Sequence, residues 1–470
     1  MPGPGGYGPP APVRKKSKRW LWITLSSLMA VVLLCVGGAF GLRHYNLQRS
    51  AERSAAFDEK HYPVKPALVD RMMAEHTRAL KDRDLKAFLA PFDPADKKLV
   101  ADRTRVFQNL TKIPFSEAKF TYLAMPKVTP LGSGYTFDLM VSFVHRFGAF
   151  DQAPIERRYF WKVVQGEKNG PLKVTAIDRF PAGFKASDDR FYPTPWDTWK
   201  SLHVEKTAHT LLIVEGSLAA EARRHAAAVE AAAVRNREAW KAAGMAGDPP
   251  AGFVVSLVRG KKALGSLWHI PDKPSTEEGF SIGLRSIEYD ADSKRFDGPP
   301  IGGSRVVVDV ASDLVTRTAD GPATIFRHEL AHSMMRAVIA TREADAEETD
   351  LTKWVVEGFA EHIGLSPAPW TASERVPAAR KQRRAEGGNV SLPSNRIWAM
   401  GGASGGNYHY LLGHAAVNHL AQRYGEQKMF QFVAEHYRGK TVKNLIPQVF
   451  GISYEEFERE WAAQVTRTLR

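Results

Sequence analysis

Residues 327–332 read Arg327-His328-Glu329-Leu330-Ala331-His332. They lie in a stretch, 321–338, where Phe326, Leu330 and Met334 recur at helical spacing. Asp320 stands where it can cap the N-terminus, and Pro322 suits the first turn. In a helix, residues four apart project from the same side, so the imidazoles of His328 and His332 can meet one ion. Glu329 is one step round and can flank that ion without binding it. That is the place for the general base of a zinc-activated water, whose pKa the metal lowers to roughly 7. The competing reading is two helix histidines making ordinary hydrogen bonds. It leaves two imidazoles and a carboxylate on one buried turn without a partner, which is costly.

A catalytic zinc takes three protein ligands and keeps the fourth position for water. Downstream, residues 353–362 read Lys-Trp-Val-Val-Glu-Gly-Phe-Ala-Glu-His, with Trp354, Val355, Phe359 and Ile363 at helical spacing. Glu357 supplies the third ligand in this reading. It sits beside Gly358, which lets another backbone or a ligand approach closely. Three ligands and a base speak against a closed, purely structural Zn²⁺ site.

His-Glu-x-x-His followed by Glu-Gly-x-Ala-Glu resembles the gluzincin zinc metallopeptidases, most closely the peptidase-MA-like group related to thermolysin and the M1 aminopeptidases. The resemblance covers about residues 205–465. It implies a zincin-type α+β fold, His328, His332 and Glu357 as zinc ligands, and Glu329 as the base. Glu361 would be the acid that orients a ligand histidine, unless Glu361 binds the metal and Glu357 takes the outer role. It also implies an oxyanion-stabilising Tyr or His in a later helix. Tyr410 fits that spacing best, with Tyr408 and His409 as alternatives and simple aromatic packing as the rival account. Two features depart from the family. The stretch 366–406 is long and rich in Gly, Pro and Arg, a lid or a disordered insertion. No Gly-Ala-Met-Glu-Asn element marks an aminopeptidase, so exopeptidase action has no footing in the sequence.

The rest of the 470 residues is organised around this region. Residues 1–13 are mostly Pro and Gly, and a basic cluster at 14–19 completes a disordered tail. No charged residue occurs from 20 to 42, enough for a transmembrane helix. The positive-inside rule then puts the N-terminus in the cytoplasm and the rest outside, a single-pass cell-membrane protein with the look of a bacterial cell surface. Cys35 is the one cysteine, so no internal disulfide can form. The net charge of +14 is scattered, without an aromatic-studded basic module, which argues against a nucleic-acid partner.

Residues 55–182 read as an α+β domain, with a helix over 66–92 and strands near 120–123, 135–146, 155–164 and 172–178. The segment 79–94, ALKDRDLKAFLAPFDP, is similar to the opening of nuclear-transport-factor-2-like cone folds. A linker follows at 183–204, then the zinc metallopeptidase domain at 205–470. That domain has strands at 209–214, 253–258 and 305–310, an alanine-rich helix at 218–243, and helices at 411–424 and 454–469. Strand 305–310 is the expected edge for pairing with a substrate backbone. The functional expectation is zinc-dependent hydrolysis of a peptide or protein substrate. The alternative is a catalytically inactive metallopeptidase-like binding module at the cell surface. Oligomeric state does not read from one chain.

Overall fold

Helix α1, Pro66–Lys81, buries Val69, Met72, Met73, His76 and Leu80 along one stripe. The expected helix over 66–92 stops there, because Arg83 turns left-handed with φ 56°. Asp84 then caps a new short helix, Leu85–Leu89, by accepting from the Ala87 amide. Its short carboxylate competes for backbone donors, so the apolar repeat continues while the helix does not. The computed structural model describes residues 64–178, 192–267, 277–287, 289–290, 295–296, 301–339, 351–385, 387–388, 390–400 and 402–470.

Helix α2, Lys97–Leu110, precedes an antiparallel sheet of β1 (Glu117–Ala124), β2 (Thr129–Leu131), β3 (Gly134–Arg146), β4 (Ile155–Gln165) and β5 (Leu172–Asp178). The order is β1-β3-β4-β5, with β2 beside β3. His76 of α1 is stacked on Phe88 and lies edge-on to Phe120 and Trp161 of the sheet.

The second sheet contains β6 (Leu202–Lys206), β7 (Thr210–Glu215), β8 (Phe253–Val258), β9 (Gly279–Arg285) and β10 (Ile301–Asp309), in the order β6-β7-β8-β10-β9. The three central strands run parallel, and the flanking β6 and β9 are antiparallel to their neighbours. The long helix α3, Ala219–Ala242, makes the crossover that a parallel β7–β8 pair requires. Leu212, Val214, Val255, Leu257, Val306 and Val308 face a helical core. The opposite face, with Ile213, Val254 and Val307, lies against Phe147, Tyr192 and Trp196. The two sheets meet at a buried ion pair, with Arg305 Nη1 and Nη2 at 2.6 and 3.0 Å from the Asp151 oxygens. The Gln152 and Ala153 amides also donate to the Gly302 carbonyl.

Strand β10 has partners on both sides, β8 and β9. The expected substrate edge at 305–310 is therefore interior, and the edge beside the helices is β9.

Seven helices complete the described chain's core: α4 (Gly321–Arg336), α5 (Lys353–Leu365), α6 (Val376–Ala385), α7 (Gly402–Tyr424), α8 (Glu426–Tyr437), α9 (Val442–Phe450) and α10 (Tyr454–Thr468). Helices α5 and α7 cross where Gly358 meets Gly413, and a Cβ on Gly358 would lie 2.3 Å from the Gly413 carbonyl oxygen. The described part of 366–406 is built into the core through Trp370, Val376 and Ala379. The described residues are α+β, with a five-stranded antiparallel sheet, a five-stranded mixed sheet and a two-stranded antiparallel pair, 289–290 with 295–296.

The expected single-pass membrane placement needs correction. Among the described residues no helix is long and apolar enough to cross a membrane. Helix α3 has the length for a span, 24 residues, but carries Glu221, Arg223, Arg224, Glu230, Arg235 and Arg237. Helix α7, with 23 residues, carries Asn407, His409, His414, Asn418 and His419 and packs against α5. The tail at 1–19 and the expected span at 20–42 lie outside the described residues.

Candidate metal centre

Helix α4 is buried from Ile325 to Arg336, so it sits at the centre of its region rather than on a surface. Gly321 opens it where a Cβ would strike the Leu314 carbonyl. Asp320 occupies the N-cap, although its side chain makes no capping hydrogen bond. One helical turn sets His328 Nε2 and His332 Nε2 3.3 Å apart. Glu357 reaches them from α5, its Oε2 lying 3.5 Å from His328 Nε2 and 3.3 Å from His332 Nε2. Each of the three residues is no more than 8% exposed. His328, His332 and Glu357 thus form a buried group that could hold a metal ion.

The other ring nitrogen of His328, Nδ1, lies 3.5 Å from Glu361 Oε1. Glu357 and Glu361 are one turn apart on α5, so one carboxylate faces the Nε2 pair and the other the back of the same imidazole. Arg375 Nη2 lies 3.0 Å from that Glu361 oxygen. Glu329 points toward strand β9, where a Cβ on Gly279 would come within 2.9 Å of its Oε1. A larger residue there would force the Glu329 carboxylate to shift.

Of the three aromatic candidates on α7, Tyr410 comes to the site. Its ring centroid is 6.3 Å from that of His328, and its hydroxyl is 3.5 Å from Glu277 Oε2. Tyr408 instead joins the hydrophobic core, and His409 lies against Trp398. Compared with known proteins, the chain matches no family model, no curated protein and no solved structure. What the site does must be judged from its own chemistry.

Its electrostatics are those of a place that wants a cation. Burial opposes a charge on His328, yet hydrogen bonding to Glu357 and the charges of Glu329, Glu361 and Glu357 override it and raise its pKa to about 9. Burial raises Glu329 to about 8, opposed by His328 and reinforced by Glu357. Glu357 is also buried, but His332, His328 and Lys353 hold it well below the usual carboxylate range. Burial lowers His332 against the pull of Glu357.

Two contributors escape the sequence reading. Strand β9 alternates Phe280, Ile282 and Leu284 with small residues, a period-two signal that its glycines obscure. Arg375 has no local signal at all, being one of several arginines in an Arg-rich stretch.

Proposed function

We propose that the chain is a zinc-dependent peptidase of the peptidase-MA-like kind. One observation carries the reading, the near-equilateral triangle of two Nε2 atoms and one carboxylate oxygen with edges of 3.3, 3.3 and 3.5 Å. Ligands about 2.0–2.1 Å from a tetrahedral zinc stand about 3.3–3.4 Å apart, so the triangle has the size of one face of that tetrahedron. Two imidazoles and a carboxylate also suit zinc better than calcium or magnesium, which prefer all-oxygen shells. A zincin-type fold is supported by the mixed sheet with an antiparallel edge beside α4 and the third ligand on the next helix. For the first region, α1 packed through His76 against an antiparallel sheet supports the cone-like comparison.

His328, His332 and Glu357 would hold the zinc, which would supply a Lewis acid able to activate water near neutral pH and polarise a carbonyl. Glu329, held beside the histidines by the space at Gly279, takes the water's proton and returns it to the leaving amine. The Tyr410 hydroxyl donates to the substrate oxygen on which charge develops. Strand β9 offers a substrate peptide its outer backbone edge. Glu361 holds the His328 ring so that Nε2 faces inward.

Metal analysis of the purified, zinc-reconstituted chain tests this directly, with about one zinc per chain expected. In a digest of unfolded protein substrates, Glu329→Gln should retain the metal and lose hydrolysis by about 10²–10⁴-fold. A chain that takes up no zinc, or a Glu329→Gln variant as active as the wild type, would overturn the proposal.

A further inference from the structure

Arg375 precedes α6, in the segment joining the zinc-binding helices to the tyrosine helix, yet its guanidinium reaches three parts of the site. Nη2 pairs with Glu361 Oε1 at 3.0 Å, and Nη1 donates to Asn407 Oδ1 on α7. The guanidinium carbon lies 4.8 Å from the centroid of the Tyr410 ring. The Glu361 oxygen it holds is the one 3.5 Å from His328 Nδ1. One planar cation therefore touches the acid behind a metal-binding imidazole, the helix that carries the tyrosine, and the face of that tyrosine.

We propose that Arg375 is a positioning residue that sets metal affinity through Glu361 and, by the same guanidinium, fixes where Tyr410 stands. This rests on the zinc reading above. Glu361 is 6% exposed. Stripped of Arg375, its carboxylate would lose the donor that fixes Oε1 and would turn away. That turn removes the acceptor behind Nδ1, and the ring loses its aim toward Glu357. A lysine would restore a positive charge opposite Glu361, but its ammonium is a point that cannot pair with the acid, bond Asn407 and cover a ring at once.

The test is a double-mutant cycle on the zinc dissociation constant, read by competition with a chromophoric chelator and so independent of any substrate. Arg375→Met should weaken zinc binding by about 10–100-fold, the range for groups that orient a metal ligand, with Arg375→Lys in between. Glu361→Gln should weaken it comparably. The double variant should fall within about threefold of Glu361→Gln alone, because the arginine acts through the acid. An unchanged constant in Arg375→Met, or a double variant whose loss is the product of the two single losses, overturns the inference. Should Arg375→Met fail to fold by circular dichroism, Asn407→Ala removes the guanidinium's other anchor and should weaken zinc by about threefold or more. No weakening there also overturns it. A wild type that binds zinc normally but cleaves no peptide would sink the peptidase reading and leave this cycle intact. A wild type that binds none sinks both.

Discussion

Replacing Gly358 by alanine should damage the fold and the metal centre together. The added Cβ would stand 2.3 Å from the Gly413 carbonyl oxygen, 2.5 Å from its carbon and 3.0 Å from Val417 Cγ2. Two of those atoms are backbone, so no side chain can swing aside. Helices α5 and α7 must part by about 0.7 Å merely to reach a 3.0 Å contact, and overpacking of this kind costs about 1–3 kcal/mol. We expect about 3 kcal/mol, the upper end, because the obstacle is main chain. Glu357 is the preceding residue on α5, so the same displacement opens the triangle it forms with His328 and His332. A tenfold weaker zinc site removes about 1.4 kcal/mol more of metal-linked stability. Urea unfolding followed by circular dichroism, once in EDTA and once in excess zinc, separates the two effects. The deficit should be larger in zinc than in EDTA. A loss below about 0.5 kcal/mol in EDTA would refute the claim that this crossing is closed to a methyl group.

Other perturbations report on different parts of the molecule. Asp151→Asn leaves Arg305 in its buried position facing a neutral amide, and unfolding experiments should show a loss of about 3–5 kcal/mol. Gly279→Ala pushes a Cβ against Glu329, 2.9 Å from Oε1 and 3.0 Å from Cγ. Zinc affinity should hold within about twofold while hydrolysis falls about 100-fold, and equal losses in both would contradict the assigned role of Glu329. Acid should destabilise the first sheet. Burial, helped by Arg103 for His76 and Arg305 for His145, lowers both histidines from 6.5 to about 3. Between those values the unfolded chain binds protons that the folded chain refuses, so stability is fully present above pH 6.5 and is lost as pH falls below it. The slope approaches about 1.4 kcal/mol per pH unit for each histidine. Urea titrations from pH 7.5 to 4.5 should show it, and His76→Phe should lower the slope by up to about 1.4 kcal/mol per pH unit, one histidine's share; an unchanged slope in that variant would discredit the assignment.

How much of this is legible in the sequence depends on the range of the interaction. His328 and His332 are brought together by one turn of one helix, and the apolar repeat of Phe326, Leu330 and Met334 announces that turn. Strands β3 and β4 are legible in the same way, as β-branched and aromatic runs bounded by glycines, and they fall within a residue of their expected limits. The break at Arg83 is harder to see because the apolar repeat runs through it, and only Asp84 acting as a cap reveals it. Lateral order within a sheet has no local signature. Residues 305–310 have the pattern of a strand, but nothing in them says that β9, earlier in the chain, will take the edge.

The same limit explains Glu357, the third member of the group that could hold a metal ion, and its support. Gly358 signals a close approach but not to what; the partner is another glycine, 55 positions on, whose carbonyl fixes how far Glu357 stands from the histidines. Arg375 carries no signal because its role comes from where three helices leave their ends, and no periodicity within 366–406 encodes that. A buried carboxylate needs a counter-charge at a defined distance, and the fold supplies it from whichever loop passes nearest. Pairs of side chains within one helix are therefore readable from spacing, while the residues that hold them in register become visible only once the helices are packed.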